Sequence, residues 1–90
     1  MKRLFTVVLF VFVLQFGAFA QITEFNLGMK LAASGDFQTA LQYFQKAFSK
    51  NLSDKKLAQI HHNIGVCFYR LNQFDEAVTE FEKAVRLHPN

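Results

Sequence analysis

The stretches FQTALQYFQKAF (residues 37–48) and FDEAVTEFEKAV (residues 74–85) decide the fold. Apolar residues fall at Phe37, Ala40, Leu41, Phe44, Ala47 and Phe48 in the first, and at Phe74, Ala77, Val78, Phe81, Ala84 and Val85 in the second. The offsets 0, 3, 4, 7, 10 and 11 are common to both. Such offsets trace one stripe of a helix with about 3.6 residues per turn. Gln, Lys, Glu, Asp and Thr fill most of the intervening positions and solvate the opposite face. One amphipathic helix is therefore written twice, 37 residues apart.

Each copy is preceded by another helical pattern. The first has Phe25, Leu27, Gly28, Leu31 and Ala32; the second has Leu57, Ile60, Ile64, Gly65, Phe68 and Leu71. The breaks between partners are SGD (34–36) and LNQ (71–73). Gly35 and Asn72 hold equivalent places there, and both residue types tolerate the left-handed backbone that ends a helix. Connections this short fold each pair into an antiparallel hairpin. Between the hairpins, Ser53 is a candidate N-cap, with Asp54 in the first turn complementing the helix dipole. Pro89 cannot continue the last helix. The pattern predicts helices over about 22–34, 37–50, 54–71 and 74–87.

These residues resemble the tetratricopeptide repeat, whose pattern is Leu-Gly, an aromatic, Ala-x-x-x-Phe and a closing Pro. The second copy reads Ile64-Gly65, Phe68, Ala77, Phe81 and Pro89; the first reads Leu27-Gly28, Leu31, Gly35, Ala40, Phe44 and Ala47. The resemblance implies an all-α fold in which two antiparallel helix-turn-helix hairpins stack as a short α-solenoid. Repeat one then covers about 21–54 and repeat two about 58–90 within a domain of 21–90. Gly28 and Gly65 allow close helix approach, and Phe44 and Phe81 fill the space between. The family period is 34 residues, so about three are inserted near 55–57, read as an extra turn at the start of the third helix. Leu52 stands where the first repeat's proline belongs, and Glu24 and His61 replace the first aromatic.

The first twenty residues, MKRLFTVVLFVFVLQFGAFA, read differently. Lys2 and Arg3 precede an apolar run from Leu4 to Leu14, broken only by Thr6, and the segment ends in Ala18-Phe19-Ala20. That is the layout of a cleavable secretory signal, with residues 1–20 removed and Gln21 as the new N-terminus. The alternative, an uncleaved anchor, wants about 20 predominantly apolar residues, and Gln15 and Gly17 interrupt this run. Export to a bacterial periplasm or beyond is the expectation, with membrane contact only through the signal before cleavage. Without Lys2 and Arg3, ten basic residues become eight against seven acidic ones, and the signs are interspersed. That charge offers no basic patch to nucleic acid.

The residue types of metal and thiol chemistry gather in HHNIGVCFYR (61–70). At about 100° per residue, His61 and His62 point roughly 100° apart, and Cys67 is more than 100° from either. No pair has the i, i+4 spacing that brings two ligands to one metal from a single helix. His61 is expected to pack between helices and Cys67 to fill space, with an intermolecular disulfide at Cys67 left open. Glu76, Glu80 and Glu82 are read on an exposed helix face. No catalytic residue, cofactor or metal site is expected, and the chain is read as a non-enzyme.

What remains is a surface. In proteins similar to this one, the first helix of each repeat lines a concave groove that holds a peptide or a partner's helix. By position, the groove residues are Phe25, Met29, Ala32, Ala33, His62, Asn63, Val66, Tyr69 and Arg70. Asn63 matches an asparagine that some members use to hold a terminal carboxylate, but Phe25 and Met29 replace the rest of that clamp. A partly hydrophobic segment with acidic or polar character is the expected partner. Stacked repeats usually number three or more, so two raise three alternatives: a fragment of a longer array, a homodimer completing the stack, or an adaptor capped by its partner. A self-associating assembly subunit of a cell-envelope complex is the alternative function.

Overall fold

Two short polar side chains start two of the helices. Asp36 Oδ1 accepts the Thr39 backbone N–H at 3.3 Å, and Ser53 Oγ accepts that of Lys56 at 3.2 Å. Each satisfies a donor that the first turn leaves unpaired, a contribution of about 1 kcal/mol. The computed structural model describes residues 23–49 and 51–89 of the chain. Residues 23–33 form α1, Phe37–Lys46 α2, Asp54–Arg70 α3 and Phe74–Leu87 α4, with no strand among the described residues. The expected signal at 1–20, with Ala18, Ala20 and Gln21, lies outside the described residues.

The two hairpin turns are built alike. After α1, Asp36 N–H donates to Leu31 O (2.9 Å) and Gly35 N–H to Ala32 O (3.0 Å). After α3, Gln73 N–H donates to Phe68 O (2.8 Å) and Asn72 N–H to Tyr69 O (3.0 Å). Both are the paired hydrogen bonds of a Schellman motif, which needs a left-handed residue just past the helix. Gly35 has φ 90° and Asn72 φ 63°, as their residue types led one to expect. One boundary differs from expectation. Helix α2 stops at Lys46 rather than near 50, and a turn around Ser49 follows it. The Ser49 hydroxyl accepts the Asn51 N–H at 3.3 Å and its carbonyl accepts the Leu52 N–H at 3.4 Å.

Helix α3 packs against both α2 and α4. Within each hairpin a glycine admits an aromatic ring. A Cβ on Gly28 would lie 2.7 Å from Phe44 Cδ1 and Cε1, and one on Gly65 2.7 Å from the same atoms of Phe81. The main core lies where α3 closes over α2: Ala40, Leu41, Phe44, Ala47, Ile60, Ile64 and Cys67. Burying one such large side chain contributes about 1.5–3 kcal/mol. Helix α4 buries only Ala77 and Ala84. Equivalent residues thus differ sharply: Leu41 is 7% exposed and its counterpart Val78 54%.

Two expectations about single residues change. His61 is half-buried between helices as expected, but it is also paired: its Nδ1 lies 2.6 Å from Glu80 Oε2. Its ring sits 4.9 Å from that of Phe48. Glu80 is therefore not on the exposed face. Its side chain is turned toward α3, where it accepts from His61 and, through Oε1, from Lys83 Nζ at 3.3 Å. Cys67, expected as a semi-buried filler, is fully enclosed, and burial pushes its thiol up to about 11.

Candidate binding groove

Helices α1 and α3 run in the same direction, so their first turns lie side by side, next to the last turn of the antiparallel α4. An open depression of about 630 Å³ forms at that end. Phe25 and Met29 of α1, Ala58 of α3, and Ala84 and Val85 of α4 supply its apolar lining. Lys55, Gln59, His62, Asn63 and His88 supply the polar part. None of these lining residues is acidic.

Several contacts hold the lining in place. Phe25 tilts against Phe44 with ring centroids 5.8 Å apart, and Lys56 Nζ lies 3.9 Å from the Phe25 ring centre. This cation over an aromatic face ties the two hairpins together. Asn63 Nδ2 donates to Met29 Sδ at 3.3 Å, a weak bond to a thioether, but one that spans α1 and α3. His62 stacks on Phe81 at 5.5 Å between centroids, the counterpart of the Phe25–Phe44 contact in the first repeat. The groove is thus an apolar floor held by ring packing, with Lys55, His62 and His88 around it.

Of the nine residues expected to form one groove, four meet here: Phe25, Met29, His62 and Asn63. The other five lie outside the depression. Ala32 packs against the core, Ala33 is exposed and Val66 is half-buried. Tyr69 points its ring edge at Phe74, 5.4 Å away, and Arg70 places its guanidinium 5.7 Å over Phe37. Those two side chains cap neighbouring helix starts. Lys55, Ala58, Gln59, Ala84, Val85 and His88 line the depression as well. Reading only first helices omits α4, although an antiparallel hairpin must bring the end of α4 beside the start of α3. The extra length near 55–57 adds Lys55 and Gln59.

A thiol whose proton is held to about 11 is not a nucleophile at neutral pH. Among the described residues, no three His, Cys, Asp or Glu side chains are gathered to hold a metal ion.

A tetratricopeptide repeat family model matches residues 19–90. The chain belongs to the tetratricopeptide repeat family. It is 33% identical over 72 residues to the tetratricopeptide repeat domain-containing protein PYG7, chloroplastic, of Arabidopsis thaliana, an alignment covering 78% of this chain and 24% of that protein. It is 35% identical over 54 residues to the RNA polymerase-associated protein CTR9 of Caenorhabditis elegans, covering 60% of this chain and 4% of that one. The chain spans about a quarter or less of the length of these relatives. Tetratricopeptide repeats are typically non-catalytic protein–protein interaction modules, and the fold of this chain is a tetratricopeptide repeat fold.

Proposed function

We propose that the chain is an exported, non-enzymatic repeat module that binds a short apolar segment bearing acidic residues, taken from a partner protein. The observation that carries this reading is the composition of the depression: Phe25, Met29, Ala58 and Val85 beside Lys55, His62 and His88, with no acidic lining. Apolar anchors entering such a recess supply affinity, and carboxylates meeting the basic rim supply orientation and rate. Residues 1–20 direct export and are removed, and the two repeats occupy about 21–54 and 58–90. N-terminal sequencing of secreted material tests the first point, with Gln21 expected as residue one.

The binding reading is tested by fluorescence anisotropy with three labelled peptides sharing one apolar helical stripe and differing in acidic, neutral or basic flanks. The acidic peptide is expected to bind tightest and to weaken with added salt, since exposed charge pairs are screened. Met29→Glu, at a side chain 46% exposed, should abolish that binding without changing helicity. Equal binding of all three peptides, or indifference to Met29→Glu, would show that the depression is not the site.

A further inference from the structure

Helix α4 carries an incompletely covered stripe: Phe74, Val78 and Val85 are 52%, 54% and 61% exposed, with half-buried Phe81, whose inner side meets Gly65 and His62 of α3, between them. In the first repeat the equivalent residues Phe37, Leu41, Phe44 and Phe48 lie under α3. We propose that a second copy of this chain covers the stripe, α4 packing antiparallel against α4 about a twofold axis.

Two observations select that occupant. The first is the flank of the stripe. Beside the covered face of α2 stand neutral Gln38, Gln45 and Ser49; beside the open face of α4 the same positions are Asp75, Glu82 and Arg86. Asp75 and Arg86 are eleven residues apart, which is three helical turns and returns them to one side of the helix. Two antiparallel α4 helices related by a twofold axis midway between these residues bring Asp75 of each copy to Arg86 of the other. The stripe is centred within a residue of the same point, so apolar and charged complements coincide. Glu82 lies one turn before Arg86 on that flank.

The second observation excludes open-ended stacking. If the next copy docked head to tail, its α1 would take the place that α3 takes on α2. The α3 residues Ile60, Cys67 and Leu71 correspond in α1 to Thr23, Lys30 and Ser34. Such a contact would bury the Lys30 ammonium against Val78 and Phe81, which is costly without a partner. Leu27, which corresponds to Ile64 and is 37% exposed, is apolar there, but Thr23, Lys30 and Ser34 make the upstream face of α1 the more polar of the two, and a closed, isologous pair joins two apolar faces. Four side chains on one helix make a small interface, in the range of weak and transient contacts, so the dimer is concentration-dependent.

Sedimentation velocity on the exported, processed chain over a wide dilution series tests this. Monomer at low and dimer at high concentration is expected. Val78→Glu should leave helicity intact and raise the dissociation constant at least tenfold. Asp75→Arg or Arg86→Asp alone should raise it roughly tenfold, because both symmetric pairs are lost together, and the double reversal should restore it. A chain monomeric at every concentration overturns the proposal and leaves the stripe to a helix of another protein or polypeptide segment. A dimer indifferent to Val78→Glu, or one the double reversal fails to rescue, also overturns it. Sedimentation is read with no peptide present, so the two readings fail separately.

Discussion

Gly28 and Gly65 occupy equivalent places and face equivalent rings at the same 2.7 Å, yet replacing each with alanine should have different consequences. An added Cβ forces Phe44 or Phe81 to move, and overpacking of this kind costs about 1–3 kcal/mol where the ring is held. Alanine also favours a helix interior over glycine by about 0.8–1 kcal/mol. Phe44 is 1% exposed and closed in by Phe25 and the core under α3, so it cannot yield. Phe81 is half-buried and borders the open face of α4, so its ring has somewhere to go. Gly28→Ala should therefore destabilise by about 1–2 kcal/mol after the propensity gain, while Gly65→Ala stays within about 0.5 kcal/mol of the parent.

Thermal and urea unfolding followed by circular dichroism, at dilutions where the chain is monomeric, measures both. The gap corresponds to roughly 5–10 °C in Tm for a domain of this size. Adding Phe44→Leu to Gly28→Ala should recover part of the loss by removing the ring edge that clashes. Equal losses at the two glycines, or the larger loss at Gly65, would refute the idea that cover by α3 decides the cost.

The remaining predictions concern Cys67 and Glu80. The native Cys67 thiol keeps its proton to about 11, against 9.0 when unperturbed, so the native state binds more protons than the unfolded chain between those values. Its contribution to stability is complete below pH 9 and is lost as pH rises toward 11, with a slope of at most about 1.4 kcal/mol per pH unit. Subtracting the profile of Cys67→Ala from that of the parent should isolate this slope; parallel profiles would contradict it. Glu80→Ala should cost about 1–2 kcal/mol, because it leaves His61 half-buried without its acceptor. Glu82→Ala, on an exposed side chain of the same helix, should cost less than about 0.5 kcal/mol, and chemical denaturation of both variants provides the comparison.

The helical hairpins were legible because their signals are local. A stripe at offsets 0, 3, 4, 7, 10 and 11, a residue able to adopt positive φ after α1 and α3, and a serine before α3 each act within a turn or two of themselves. The end of α2 was not legible, since the apolar stripe runs on through Phe48 while the helix stops at Lys46. Glu80 was misread because periodicity reports the apolar face of a helix but not a polar residue beside it that reaches a histidine 19 positions away. The proposed binding depression was half legible for a related reason: two of its walls come from first helices and the third from the end of α4, which only the packing of the hairpin supplies.

The duplicated motif also shows why burial in a repeat protein cannot be assigned residue by residue. Leu41 and Val78 hold one position in one pattern, and the presence of α3 over the first is what separates 7% from 54% exposure. The sequence responds to that difference in the neighbouring positions, placing Asp75, Glu82 and Arg86 where the covered copy has neutral residues. Val85 lines both the peptide depression and the open recess of α4. A partner seated deep in the first and a second copy seated on the other would compete for the same valine side chain. Ligand binding and self-association are then reciprocally linked, and the acidic peptide that binds at Met29 should shift the sedimentation equilibrium toward monomer by the same factor by which the dimer weakens the peptide.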